Sequence, residues 1–224
     1  MSVLPQRLLS GYDAFRAGRL AEQSERYSKL AEAGQKPEIL LIGCCDSRVA
    51  PEIIFDAGPG EMFVLRNVAN LVPPYAPDGE YHGTSAALEF AVMGLKVKHI
   101  VIMGHGRCGG INAFRNHEGA EPLSPGDFIG KWITLLEPAA RRLESSHSDP
   151  ESDPQTALER AAIRQSIDNL RTFPCISALE KKGRIALHGA WFDIANGTLW
   201  ALDKESDRFM PMGTPIANGG DLIQ

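Results

Sequence analysis

Residues 39–48 read Ile39-Leu40-Leu41-Ile42-Gly43-Cys44-Cys45-Asp46-Ser47-Arg48, an apolar run that ends in a cluster of polar side chains. The arrangement recurs at residues 100–108, where Ile100-Val101-Ile102-Met103 leads into Gly104-His105-Gly106-Arg107-Cys108. A short apolar run of this kind is typical of a buried strand. Because parallel strands bring their carboxyl ends to the same edge of a sheet, two thiols and an imidazole can meet there. The sequence therefore predicts a parallel sheet with a group of metal-binding side chains at one edge.

The rest of the chain alternates helices with strands. Apolar residues at helical spacing predict helices over residues 20–33, 87–95 and 157–170, and short apolar runs predict further strands at 63–65, 185–187 and 199–202. The turn Asn196-Gly197 joins the last two strands. This pattern predicts an α/β fold with a mostly parallel central sheet, one antiparallel edge strand and flanking helices. We expect a single domain over residues 1–224, with an N-terminal helical arm at 1–35 and an exposed, proline-broken connector at 145–155.

Composition argues against several classes of protein. The chain has 224 residues, of which 43% are hydrophobic and 23% charged, and its formal net charge is −5. It has no block of lysine or arginine, which argues against a nucleic-acid or anionic membrane partner and favours a small soluble one. No apolar stretch reaches the roughly 18 residues that span a bilayer. The start of the chain lacks the pattern of a secretory signal, and the four cysteines resemble reduced thiols more than a disulfide framework. These features predict a cytoplasmic protein.

Three side chains of the two polar clusters are suitable zinc ligands. Catalytic zinc takes three protein ligands and keeps a fourth position for water or substrate, and Cys44, His105 and Cys108 supply that number. Asp46, two residues after Cys44, can accept a hydrogen bond from a bound water or become a fourth ligand. Arg48 can bind that carboxylate through two parallel hydrogen bonds and thereby decide between the two roles.

The sequence resembles the β-class carbonic anhydrases over roughly residues 30–203. Two motifs carry the resemblance, Cys-x-Asp-Ser-Arg at 44–48 and Gly-His-x-x-Cys-Gly-Gly at 104–110. Three flanking blocks are similar to that family in order and spacing: Pro59-Gly60-Glu61-Met62-Phe63-Val64-Leu65-Arg66-Asn67-Val68-Ala69-Asn70, Ser85-Ala86-Ala87-Leu88-Glu89-Phe90-Ala91-Val92 and His188-Gly189-Ala190-Trp191-Phe192-Asp193.

The resemblance implies an enzyme, a carbonate dehydratase that reversibly hydrates carbon dioxide to bicarbonate and a proton. In that family zinc-bound hydroxide attacks carbon dioxide, which implies one Zn²⁺ per subunit, with carbon dioxide and bicarbonate as small-molecule partners. A homodimer or a dimer of dimers is also implied, because pocket residues of the family come partly from a second subunit. The implied site residues are the metal ligands Cys44, His105 and Cys108, the catalytic pair Asp46 and Arg48, and the substrate-binding Gln35, Phe63, Tyr81 and Gly109.

Two departures indicate the plant-like branch of the family. Another branch has an inhibitory bicarbonate pocket built from Trp, Arg and Tyr, and this chain has Leu41 and Phe192 at the positions of the Trp and the Tyr. Only Arg66 remains of that pocket, and together with Gln35 this places the chain nearer the plant-like branch. We therefore expect Asp46 to pair with Arg48, so that the fourth zinc position stays open.

Two alternative functions remain open at this stage. One is a non-catalytic zinc-binding or redox-sensing relative, for which Cys45, directly after a ligand cysteine, is the relevant residue. The other is a hydrolase of carbon disulfide or carbonyl sulfide that uses the same site. The intact Asp46, Arg48 and Gln35 argue against the first, since a structural zinc usually has four protein ligands and needs no such pair.

Overall fold

The fold is known from a computed structural model, which describes residues 3–78, 81–116, 121–145 and 153–213. The strands of these residues are β1 (Ile39–Cys44), β2 (Met62–Asn67), β3 (His99–His105), β4 (Ala186–Phe192), β5 (Leu199–Asp203) and β6 (Arg208–Pro211). They form one sheet in the order β2-β1-β3-β4-β5-β6. The first four strands in this order are parallel, and β5 and β6 are antiparallel. The predicted α/β fold class is confirmed.

Helices flank the sheet. They are α1 (Gln6–Phe15), α2 (Ser24–Ala33), α3 (Pro51–Ile54), α4 (Gly83–Glu89), α5 (Gly109–Arg115), α6 (Phe128–Ile133), α7 (Glu137–Ser145), α8 (Pro154–Thr172) and α9 (Pro174–Lys181). Turns of π-helix at Arg16–Leu20 and Phe90–Leu95 and of 3₁₀-helix at Val68–Asn70 and Thr134–Leu136 adjoin them. None of the helices in the described residues is long and apolar enough to cross a lipid bilayer.

Burial on both faces explains the apolar run of β1. Leu40 and Ile42 are fully buried in a cluster that includes Ile163 of α8. Leu41, between them, packs on the opposite face with Met103. A strand that is covered on both sides needs apolar side chains at successive positions, which is the pattern by which it was predicted.

Two glycines let α8 lie directly against the sheet. A Cβ atom at Gly104 of β3 would be 2.8 Å from Ile163 Cδ1, and one at Gly189 of β4 would be 2.9 Å from Ile163 Cγ2. These separations are shorter than van der Waals contact between carbon atoms, which is about 3.5–4.0 Å. The packing of α8 on the sheet therefore requires glycine, which has no side chain, at both positions. Gly104 immediately precedes His105.

The antiparallel edge has a second strand, β6, that the sequence did not predict. Its residues, Arg208-Phe209-Met210-Pro211, are few, and only Phe209 is buried. Proline is tolerated there because an edge strand leaves one row of its backbone groups unpaired. The expectation of one antiparallel edge strand therefore missed half of this edge.

Some boundaries also differ from the prediction. The helix expected over 20–33 begins at Ser24 as α2, after the π-helical turn. In the expected N-terminal arm, the described residues are mostly helical, and neither α1 nor α2 has a buried residue. Of the expected connector at 145–155, residues 146–152 lie outside the described residues. Its last two residues instead begin α8, because Asp153 caps that helix and Pro154 suits a first helical position.

Candidate metal centre

Three side chains converge where β1 and β3 end. Cys44 ends β1, His105 ends β3, and Cys108 follows in the next turn. All three are buried, and their ligand atoms lie within 4.8 Å of one another. The two sulfur atoms are 3.9 Å apart. Two thiolates on a tetrahedral zinc with bonds of about 2.3 Å would be about 3.8 Å apart, so the spacing fits that metal.

His105 presents one particular nitrogen to this space. Its Nδ1 donates a hydrogen bond to the Gly106 carbonyl at 2.9 Å, which fixes the ring and leaves Nε2 as the free donor of an electron pair. Nε2 is buried and has no hydrogen-bond partner among the described residues. Buried polar atoms are nearly always paired, so an orphaned nitrogen beside two sulfurs indicates a place for a metal ion.

Backbone N–H groups surround the two sulfurs. Those of Asp46 and Ala69 point at Cys44, and those of Gly110 and Ile111 point at Cys108. The pKa of the Cys44 thiol is lowered, first by the hydrogen bond from the Cys108 thiol, then by the neighbouring His105 side chain and then by these N–H groups. The pKa of Cys108 is raised, because its proton is held by the Cys44 sulfur and because it is buried. This environment stabilises a thiolate on Cys44, and thiolate is the form of cysteine that binds metals.

Asp46 and Arg48 form the fork that the sequence predicted. Arg48 Nε donates to Asp46 Oδ1 at 2.9 Å and Nη2 donates to Oδ2 at 2.6 Å. These hydrogen bonds hold the pKa of the Asp46 carboxyl well below its usual range. Oδ2 is 3.9 Å from His105 Nε2, so an ionised carboxylate lies beside the three donors while both of its oxygens are bound to Arg48. Arg48 Nη2 also donates to the Arg107 carbonyl at 3.2 Å.

Arg66 supports the turn that carries these residues. Its Nε donates to the Cys44 carbonyl at 2.8 Å and its Nη2 to the Asp46 carbonyl at 2.7 Å. The sequence identified Arg66 only as the remnant of a bicarbonate pocket. At the other two positions of that pocket, Leu41 is buried in the core and Phe192 is partly buried near the candidate metal site. The guanidinium thus binds two backbone carbonyls, a contact that no sequence pattern indicated.

Glu159 of α8 is a second residue that sequence reasoning missed. It is 2% exposed, and its Oε1 accepts a hydrogen bond from the Cys108 N–H at 2.9 Å. Burial raises the pKa of its carboxyl, although hydrogen bonds from its neighbours oppose that effect. A signal was present in the sequence, because Glu159 shares a helix face with Ile163 and Leu170, where an acidic residue is out of place.

The predicted substrate-binding residues are not all near the metal centre of one chain. Gly109 begins α5 directly after Cys108, and a Cβ atom there would meet no described atom within 4 Å, so space is open above it. Phe63 lies opposite Leu40 in the sheet, four positions before the partner of Cys44 and therefore about 13 Å from it. Its ring packs against Phe90, with centroids 5.7 Å apart.

Gln35 and Tyr81 are likewise not gathered at the centre. Gln35 is exposed in the segment that enters β1 at its amino end, whereas Cys44 is at the carboxyl end. The side chain of Tyr81 is fully exposed. The structure thus brings the three candidate metal ligands, Asp46, Arg48 and Gly109 together, and it leaves the other three predicted pocket residues on the surface or far along the sheet.

Two sulfurs and an imidazole at the carboxyl ends of parallel strands, beside an ionised carboxylate, define an α/β protein with a candidate metal centre of the catalytic type. A family model described as carbonic anhydrase matches residues 39–199. Beta carbonic anhydrase 3 of Arabidopsis thaliana is 34% identical over 201 residues, which are 88% of this chain and 77% of the relative. The chain therefore belongs to the β carbonic anhydrase family, whose members are carbonate dehydratases.

Solved structures agree with this assignment. The β-carbonic anhydrase CcaA matches with a TM-score of 0.84 and 30% identity, covering 94% of this chain and 93% of the other. A Coccomyxa β-carbonic anhydrase in complex with acetazolamide has a TM-score of 0.74 and 28% identity, covering 90% and 87%. One of two tetrameric β-carbonic anhydrases of Sordaria macrospora has a TM-score of 0.69 and 32% identity, covering 88% and 95%.

Proposed function

We propose that this chain catalyses the reversible, zinc-dependent hydration of carbon dioxide to bicarbonate and a proton. The observation that carries the proposal is the buried, unpartnered His105 Nε2 facing two sulfurs with the spacing of zinc thiolates. Cys44, His105 and Cys108 would hold one zinc ion per subunit. When bound, zinc would supply a Lewis acid that activates water for attack on carbon dioxide.

The residues around the centre prepare and orient the reactants. Asp46, kept ionised by Arg48, is placed to accept a hydrogen bond from the attacking water. The same two hydrogen bonds occupy both carboxylate oxygens and therefore oppose their binding to the metal. This favours the plant-like form with an open fourth position. The exposed start of α5 gives Gly109 N–H access to a substrate oxygen, where it would orient neutral carbon dioxide.

The test is a stopped-flow carbon dioxide hydration assay combined with metal analysis. We expect the zinc-loaded protein to be active, activity to disappear with a chelator and return with zinc, and Asp46→Ala to lose most of kcat/KM. Asp13→Ala, at an aspartate in α1, is the control and should retain full activity. A wild-type protein without zinc-dependent turnover would overturn the proposal, and turnover of carbon disulfide or carbonyl sulfide alone would replace the substrate. A zinc-bound structure at neutral pH with an Asp46 oxygen on the metal would refute the open form.

We further propose that the active unit is at least a homodimer, with a dimer of dimers as the larger form. Phe63 and Tyr81 do not reach the centre of their own chain, and the arm helix α1 exposes Leu8 and Tyr12, which a second copy could cover. The tetrameric Sordaria relatives support oligomers.

Complementation between subunits tests this arrangement. Asp46→Ala and Tyr81→Ala should each be impaired alone. If Tyr81 acts in the partner's site, co-expression should restore about a quarter of wild-type sites, because half of randomly formed dimers are mixed and each has one intact site. Tyr81 is exposed, so this substitution spares the core. No restoration, or a monomer by light scattering, would refute the shared site.

The cytoplasmic location remains a prediction. All four cysteines are free thiols, and a reducing compartment preserves the two that would bind zinc. Cell fractionation of the producing organism checks it, and recovery of the protein outside the cytoplasm would contradict it.

A further inference from the structure

One turn of α8 holds both backbone polar groups of the ligand Cys108. Glu159 Oε1 accepts the Cys108 N–H at 2.9 Å, and Gln155 Nε2 donates to the Cys108 carbonyl at 3.3 Å. Gln155 Nε2 also donates to Glu159 Oε1 at 3.0 Å. The two side chains are four residues apart, so they lie one above the other on the helix. Together they clamp the peptide groups on either side of the Cys108 Cα atom.

The clamped loop needs support from outside. Arg107, between His105 and Cys108, has a φ of 59°, in the left-handed region that non-glycine residues rarely adopt. Such a conformation persists only where the surrounding structure enforces it. The clamp by α8 is a contact of this kind, and it acts on the residue directly after Arg107.

Glu159 is itself held on its other side. Trp191 Nε1 donates to Glu159 Oε2 at 3.1 Å. The Arg160 guanidinium lies 4.6 Å from the Trp191 ring centroid and 4.7 Å from that of Trp200. A line of contacts thus runs from strands β4 and β5 through Glu159 to Cys108.

A carboxylate suits this position and an amide does not. The three groups around Glu159 (the Cys108 N–H, the Gln155 amide nitrogen and the Trp191 indole) are all donors, and both carboxyl oxygens of Glu159 accept from them. A glutamine there would turn its own NH₂ toward at least one donor.

We propose that Glu159 is a positioning residue of the metal centre, which sets zinc affinity by holding Cys108 in the geometry for binding. This inference rests on the proposed zinc site. Substitution of a residue that orients a metal ligand typically weakens metal affinity by about 10- to 100-fold. Glu159 is not one of the three candidate ligands, and it acts through the backbone of Cys108.

The experiment compares zinc dissociation constants, measured by competition with a chromophoric chelator, for four full-length proteins. They are the wild type, Glu159→Gln, Gln155→Ala and the control Gln165→Ala. Gln165 is a matched control, because it is also on α8 and also donates to a residue four positions later, Asn169, at 2.9 Å, without contact to Cys108. The absorption spectrum of each cobalt-substituted protein reports ligand geometry independently of turnover.

We expect Glu159→Gln to bind zinc about 10- to 100-fold more weakly, with an altered cobalt spectrum, and Gln155→Ala to show a smaller loss. Gln165→Ala should match the wild type. If Glu159→Gln does not fold, Gln155→Ala decides, since Gln155 is only partly buried. Wild-type affinity and spectrum in the folded clamp variants, or an equal loss in Gln165→Ala, would overturn the inference. A wild type that binds no zinc would instead overturn the proposed function.

Discussion

Gly104→Ala tests whether the close approach of α8 to the strand that ends at His105 is as tight as the structure shows. The new Cβ would lie 2.8 Å from Ile163 Cδ1 and 3.1 Å from its Cγ1. Carbon atoms prefer about 3.5–4.0 Å, so either Ile163 or the strand must move by several tenths of an ångström. Overpacking of this kind costs about 1–3 kcal/mol in the free energy of unfolding. For a chain of this size that lowers Tm by about 2–12 °C.

A double-mutant cycle identifies the cause. Ile163→Val removes the Cδ1 atom and alone should cost about 0.5–1.5 kcal/mol. Because it also relieves the overlap, the double variant should be more stable than the sum of the single effects by about 0.5 kcal/mol or more. Gly18→Ala is the control. A Cβ at Gly18 meets nothing within 4 Å, so this variant should be unchanged or slightly more stable.

Urea unfolding at fixed protein concentration, followed by circular dichroism, measures the free energies of unfolding of the wild type and the four variants. Two results would refute the reasoning: a Gly104→Ala variant as stable as the wild type, or single effects that add without a coupling term. Either would mean that α8 and the sheet are further apart than described.

Three other predictions follow from side chains near the site. Arg48→Lys keeps the charge but loses the two-bond fork, so kcat/KM should fall about 10- to 100-fold, whereas Arg26→Lys, whose arginine also binds a carboxylate and a carbonyl, should stay active. Equal activities would contradict this role of the fork. Asp153→Ala should cost about 1 kcal/mol by removing the cap of α8. Hydrogen bonds from the Thr156 hydroxyl and backbone lower the pKa of Asp153, so its stabilisation is present above about pH 3.9, the pKa of an unfolded aspartate, and is lost as pH falls through the lower folded value. The difference in the free energy of unfolding between the wild type and Asp153→Ala should therefore be large at pH 7 and small at pH 2. A difference that grows in acid would be inconsistent with a cap. Cys45→Ser should leave zinc content, activity and peroxide sensitivity unchanged, since Cys45 is exposed and outside the ligand group; reduced peroxide sensitivity would instead assign it a redox role.

Sequence reasoning predicted that the three candidate ligands would lie together, because the required signals are local. The apolar run before Cys44 and the matching run before His105 specify two strands, and parallel pairing then determines where they end. The Asp46–Arg48 fork is equally local, since the two residues are only two positions apart.

The contacts that support the site could not be predicted, because they join residues that are far apart in the chain. Glu159 meets Cys108 across 51 positions of the chain, and Arg66 meets Cys44 across 22. Such contacts depend on how α8 and β2 pack, which no short pattern encodes. Strand β6 was not predicted, because its proline and short length weaken the periodic signal. In the structure it pairs with β5, and Phe209 is buried.

The three donors converge only when the strands that carry them pair in the correct register. Cys44 and Cys108 are 64 positions apart, and they meet only when β1 and β3 pair as Ile39 with His99 through Gly43 with Met103. A slip of one residue would turn Cys44 to the other face of the sheet and separate the donors. Under the proposed zinc binding, the fraction of chains that load metal would therefore measure the fraction whose two central strands are correctly aligned, so that metal content serves as a test of folding fidelity.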